Sequence, residues 1–328
     1  MQKLLQDLTA TLDAASPSFV LIDSMLGEPI PLEIPPGAEV GNAAALNRLR
    51  SAAWQRNTFT VVLPKTIALP LHLHPYLVAL QGPVDPWLAP TLKQAMDETD
   101  QALANGLAGS GSAPHRVGGW LQSHLAPEDL VAQLARMMSV NTSAYTTARY
   151  QRLADRRALD WLCCVVGEQR MCGQLGAIQR WIYLDACGQV TQLQSTGEAA
   201  ATLRLTPAEW GRFMLGDMLH PTVARWMGEL VHMATATPAH DTHALYSRAF
   251  TALQNVDAAM KMHPKRFMHP QDRVAWAAMT LAYPGIEKNP AVRELLNAQP
   301  SADEPPETLH TLCAALRDLH TANRKHPS

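Results

Sequence analysis

The sequence predicts an α/β N-terminal lobe with a mixed sheet and flanking helices, followed by an all-helical C-terminal lobe. Three observations carry that expectation. Short β-rich runs alternate with helix-period segments up to about residue 205. Thr206-Pro207-Ala208-Glu209 then joins a capping box to a proline at the first helical position, and only helical periodicity recurs beyond it. The 328 residues, 47% of them apolar, suit two domains with a core each. The expected boundaries are 1-205 and 206-328.

The chain opens with Leu4, Leu5, Leu8 and Leu12 at helical spacing. Ser18 to Asp23 follows Pro17 as a first strand, and Pro29 to Gly37 reads as a loop. Ala43 to Gln55 is a helix with Leu46, Leu49 and Ala53 on one face. Thr58 to Leu63 is a strand stopped by Pro64, and Leu71 to Leu80 is apolar and extended. Pro86 to Leu107 is a helix ending in the Gly/Ser-rich loop 108-112. Gly119 to Ser123 is strand-like. Pro127, Glu128 and Asp129 start the next helix, whose buried stripe is Leu130, Leu134, Met137 and Met138. Ser143 to Tyr150 is a strand, Asp155 to Val166 a helix, and Trp181 to Leu184 a strand. In the second lobe, Tyr246, Phe250, Leu253 and Met260 mark one helix. Gln271 to Leu281, Pro290 to Asn297 and Pro306 to Asn323 mark three more, with loops at 235-240 and 297-306.

Charge narrows the function classes. Charged residues are 17% of the chain, and 27 Lys+Arg face 29 Asp+Glu for a net charge of -2. Neither a nucleic acid nor an anionic membrane surface is an expected partner of so neutral a chain. No apolar run approaches the ~18 residues of a membrane span. Met1 to Asp7 is too polar for a signal-peptide core, so a cytoplasmic location is expected. The five cysteines form no C-x-x-C, which argues against a disulfide framework and a cysteine zinc site.

Catalytic motifs are sparse. His72 and His74 share a face if their segment is a strand, and with a distant carboxylate they make a metal-dependent hydrolase the alternative function. No H-E-x-x-H supports it, and no third ligand is marked by spacing. There is no G-x-S-x-G elbow and no phosphate loop, and Cys163-Cys164 sits inside an apolar helix. Arg149, Arg152, Arg156 and Arg157 form the densest basic cluster. The interleaved Asp155 and Asp160 point to salt bridges at a strand-to-helix junction.

Several of these junctions, in order, resemble one family. Val20-Leu21-Ile22-Asp23-Ser24 ends the first strand. Pro75-Tyr76-Leu77-Val78-Ala79-Leu80 follows, then Gly119-Trp120-Leu121-Gln122-Ser123 with its amphipathic helix. Last come Arg149-Tyr150 and Asp155-Arg156-Arg157-Ala158-Leu159. The set is similar to the effector-associated adaptor and chaperone family of the bacterial type VI secretion system (domain of unknown function 4123). The likeness spans roughly 18-185 and, more loosely, 245-296, through Trp276 to Leu281, Pro284-Gly285 and Asn289-Pro290-Ala291-Val292. Arg156 stands where the family has proline, and Gln151 to Ala154 are inserted.

The resemblance implies a non-enzymatic task without cofactor or metal. Such a protein binds a secreted effector, through the effector's N-terminal region, in the cytoplasm. It promotes loading onto the spike protein (VgrG type) of the type VI apparatus. Asp23, Arg149, Tyr150 and Arg157 are the expected organisers of the strand-end surface. Arg266, Trp276 and Tyr283 are the candidates for facing the effector from the helical lobe, with capture expected between or across the lobes.

Overall fold

Ser18–Ile22, built of β-branched, aromatic and aliphatic side chains after Pro17, forms strand β1, and all five of its residues are buried. The computed structural model of the chain describes residues 1–33, 41–108, 114–142, 149–197, 203–233, 241–298 and 309–325. The chain divides into two compact units, Met1–Thr99 with Pro114–Met214, and Asp100–Ala113 with Leu215–Ser328.

Around β1, the first unit places α1 (Gln2–Thr11), α2 (Ala43–Trp54), β2 (Thr58–Thr60), β3 (Tyr76–Leu80) and most of α3 (Leu88–Ala108). Next come β4 (Val117–Ser123), α4 (Pro127–Met137), β5 (Ser139–Thr142), β6 (Arg149–Tyr150), α5 (Arg156–Val166) and α6 (Glu168–Gln174). The unit closes with β7 (Ile178–Leu184), β8 (Val190–Gln194), β9 (Arg204–Leu205) and α7 (Pro207–Met214).

Six strands form one sheet in the order β2-β3-β1-β4-β7-β8. Every neighbouring pair in it is antiparallel. This corrects the expected mixed sheet. β3 and β4 do run in the same direction with α3 between them, as the strand-helix-strand pattern suggests. However, β1 is seated between the two and runs against both. A parallel pair occurs instead between β5 and β9, in a small sheet of order β6-β5-β9.

Period-two alternation sends successive side chains to opposite faces, and both faces are covered. Phe19, Leu21, Leu77, Leu121 and Trp181 join the core under α4 and α5. Val20, Ile22, Val78, Trp120 and Ile182 join the core that receives Leu8 of α1, Trp54 of α2 and Leu92 of α3. Gly119 adopts φ +132°, and a Cβ there would collide with the Ile182 carbonyl oxygen, so β4 meets β7 at a distance only glycine permits.

Several segments differ from expectation. Residues 71–73 form a 3-10 turn, and the strand begins only at Tyr76. The buried stripe of α2 is Leu46, Arg50 and Trp54, displacing the expected Leu46, Leu49 and Ala53. Helix α7 belongs to the first unit, where Trp210 and Phe213 pack against the sheet core. A capping box marks where a helix starts and not which core it joins. The strand expected over 143–150 is described only at Arg149–Tyr150. Most of the expected loops at 108-112, 235-240 and 297-306, and part of that at 29-37, lie outside the described residues.

The second unit holds the end of α3, α8 (Gly216–His232), α9 (Thr242–Met262), α10 (Pro270–Ala282), α11 (Pro290–Asn297) and α12 (Leu309–Lys325). Gly106 brings α3 against Ala224 of α8, where a Cβ would lie 2.8 Å from Ala224. Asp241 caps α9 and Asn289 caps α11 through side-chain oxygens. No helix among the described residues is long and apolar enough to cross a membrane.

Candidate functional site

β1 ends in two adjacent polar residues whose side chains enter different networks. Asp23 is fully buried, and its backbone N–H donates to the Arg116 carbonyl at 2.7 Å. One carboxylate oxygen accepts the Met25 N–H at 2.9 Å and the other accepts from Arg152 Nε. Arg152 also reaches Asp155 at 3.6 Å, so one guanidinium is shared by two carboxylates. Asp155 caps α5 through the Arg157 N–H at 3.1 Å and holds the Arg157 side chain by two bonds of 3.0 and 2.7 Å.

The two carboxyls titrate in opposite directions. Burial dominates at Asp23 and raises it to about 6, although Arg152 opposes the shift. Burial would also raise Asp155, but Arg157, His115 and Arg152 together outweigh it and hold this carboxyl well below the usual range. Tyr150 lies beside the pair. Burial first, then the Asp23 charge, push its phenol above the ordinary tyrosine value. Among the described residues, the Tyr150 hydroxyl, both ends of the Gln151 amide, Arg152 Nη2 and Arg116 Nε are buried without a hydrogen-bond partner.

Ser24 turns to the second network. Arg50 donates to Glu28 at 2.7 and 3.0 Å, to Thr60 Oγ1 at 3.1 Å and to Ser24 Oγ at 3.2 Å. Tyr76 donates to Glu28 at 2.7 Å and accepts from Trp54 Nε1 at 3.0 Å. Arg156 occupies a third buried position, donating to Glu98 at 3.3 Å, Ala95 O at 2.6 Å, Val117 O at 3.0 Å and Thr99 Oγ1 at 2.8 Å.

The structure thus brings Asp23, Tyr150 and Arg157 together, linked through Arg152 and Asp155. Arg149 lies on β6, exposed, paired in register with Val140. Arg152 as the bridge, and Arg50, Glu28 and Glu98, escaped the residue-level reading. One signal for Arg50 was present: it sits four residues from both Leu46 and Trp54, a cation on an apolar stripe.

His72 and His74 do not share a strand face, because residues 71–73 form a 3-10 turn. His74 is buried, its Nδ1 accepts the Leu63 N–H at 3.2 Å, and its Nε2 bonds the Leu69 carbonyl at 3.0 Å. Both ring nitrogens are occupied, while His72 is exposed on the 3-10 turn. Among the described residues no group of three or more His, Cys, Asp or Glu side chains is placed to hold a metal ion.

In the helical unit, Arg266 is buried and binds the end of α11, donating to Leu296 O at 3.4 Å, Leu295 O at 3.2 Å and Ala298 O at 2.7 Å. Tyr283 is buried too, its hydroxyl donating to Glu229 at 3.0 Å, and Arg317 grips the same carboxylate at 2.9 and 2.7 Å. Burial and the neighbouring Glu229 push the Tyr283 phenol up to about 12. These two residues fasten the unit internally. Trp276, edge-on to Phe267 at 6.4 Å, lines a groove of about 1180 Å³ between α9, α10 and α11.

Compared with protein-family models, curated proteins and solved structures, the chain matches none.

Proposed function

We propose that the chain is a cytoplasmic adaptor that captures a type VI secretion effector and promotes its loading onto the spike protein. One observation carries this reading. The pieces of sequence that resemble the adaptor family, Asp23 at the end of β1, Tyr150 on β6 and Asp155 with Arg157 at the start of α5, converge in one cluster. The four inserted residues do not separate them, because Arg152, itself inserted, bridges Asp23 to Asp155.

Co-expression with the product of the neighbouring gene tests the proposal. The expected result is co-purification with the effector, a rise in effector solubility, and a ternary complex with the spike protein. An effector and spike protein that are neither bound nor stabilised by this chain would overturn it.

A further inference from the structure

The groove of the helical unit has walls and a floor of different character. Along α9, Arg248, Thr251, Asn255, Ala258 and Met262 recur at alternating spacings of three and four, so they share one face of the helix, and all five are exposed. Ala259, Trp276 and Leu296 are buried beneath them. Met262 leaves 69% of its surface uncovered.

A helix about 10 Å across, rising 5.4 Å per turn, sweeps on the order of 420 Å³ per turn. The groove of about 1180 Å³ therefore accommodates between two and three turns. Its walls are helices whose backbone groups are bonded within themselves, so they offer side-chain packing and no strand edge. A helical guest satisfies its own backbone and fits that condition.

Charge selects the guest further. The Arg248 guanidinium lies 4.5 Å over the Trp226 ring, held by stacking and not by a carboxylate. Arg293 is anchored by its Nε to the Glu287 carbonyl oxygen at 2.9 Å. Neither forms a salt bridge among the described residues, and Glu287 is the one acidic residue in the lining. We propose that the groove receives an amphipathic helix of the captured partner, apolar toward Ala258 and Met262, with Asp or Glu at its edges to meet Arg248 and Arg293. This rests on the reading of the chain as an adaptor.

The test uses the full chain and the co-expressed effector. Arg248→Glu with Arg293→Glu should weaken effector capture by about tenfold and flatten its salt dependence. Asn255→Trp should block capture by filling the groove. Both variants alter exposed positions, and an unchanged thermal midpoint and helical circular dichroism verify their folding. Reversing acidic residues to lysine in one effector helix should restore binding to the Arg248→Glu, Arg293→Glu chain. Effector capture by wild type that both variants retain would overturn the groove assignment and leave the adaptor reading standing. No capture by wild type would overturn both. A wild-type dimer that Asn255→Trp dissociates, with effector binding retained, would assign the groove to a second copy and overturn the proposal.

Discussion

The sheet unit and the helical unit bury charge differently. In the sheet unit, arginines go into the interior with several partners each: Arg50 meets Glu28, Ser24 and Thr60, and Arg156 meets Glu98, Thr99 and two backbone carbonyls. In the helical unit, the buried Arg266 gathers carbonyl oxygens at the end of α11, and the buried Glu229 is bound by Arg317, which stays 22% exposed. Strand ends and helix ends meet at the edge of a sheet and leave polar backbone groups that a guanidinium can gather. Helices satisfy their own backbones along their sides and pack through apolar stripes, which leaves a groove with Arg248 and Arg293 at its rim. The first arrangement makes a rigid frame. The second makes a surface with room for another helix.

That contrast is breakable. Arg156→Met should do the most damage, about 3–5 kcal/mol in urea unfolding, because Glu98 is left buried without its main cation. A loss near 1 kcal/mol would mean that the sheet unit tolerates buried charge no differently from its neighbour. Gly119→Ala should cost about 2–3 kcal/mol, since the new methyl meets backbone at a positive φ. Tyr283→Phe probes the helical unit. It removes one of three bonds to Glu229 and should cost about 1–2 kcal/mol, less than Arg156→Met, since Arg317 remains.

Asp23 supplies a pH signature confined to the sheet unit. Its carboxyl is raised from 3.8 to about 6, so between those values the folded chain holds a proton that the unfolded chain has released. Its contribution to stability therefore declines as pH rises through that window and is most favourable below it. Going from pH 7 to pH 5 should recover on the order of 1 kcal/mol through this group. Asp23→Asn should lack that increment, so the wild-type-minus-variant difference in unfolding free energy should grow by it from pH 7 to pH 5, and an identical pH profile in the two proteins would refute it. Asn42→Ala, at the exposed cap of α2, should have the smallest effect, about 0.5–1 kcal/mol, read as a small drop in thermal midpoint.

Much of the local architecture was legible in the residues. The run Ser18 to Ile22, the proline before Glu128, and the Thr206-Pro207 start all fold where their chemistry places them. Asp23, Tyr150 and Arg157 lie around the Arg152–Asp155 pair. Arg152 and Glu98 were harder, because an arginine among acids has many possible partners and only chain geometry selects one. Residues 71–73 read as extended because they are apolar, yet Pro70 and the local 3-10 bonds turn the chain there.

The sequence by itself determined the alternation of strands and helices, the two apolar faces of β1, and the helix starts, because periodicity and capping act over a few residues. Tertiary structure alone decided that β1 inserts between β3 and β4, that α7 joins the sheet core, and that Arg152 bridges Asp23 to Asp155. Strand direction, core membership and ion-pair choice depend on contacts between residues far apart along the chain. Those contacts form only where the folded path brings the groups within a few ångströms.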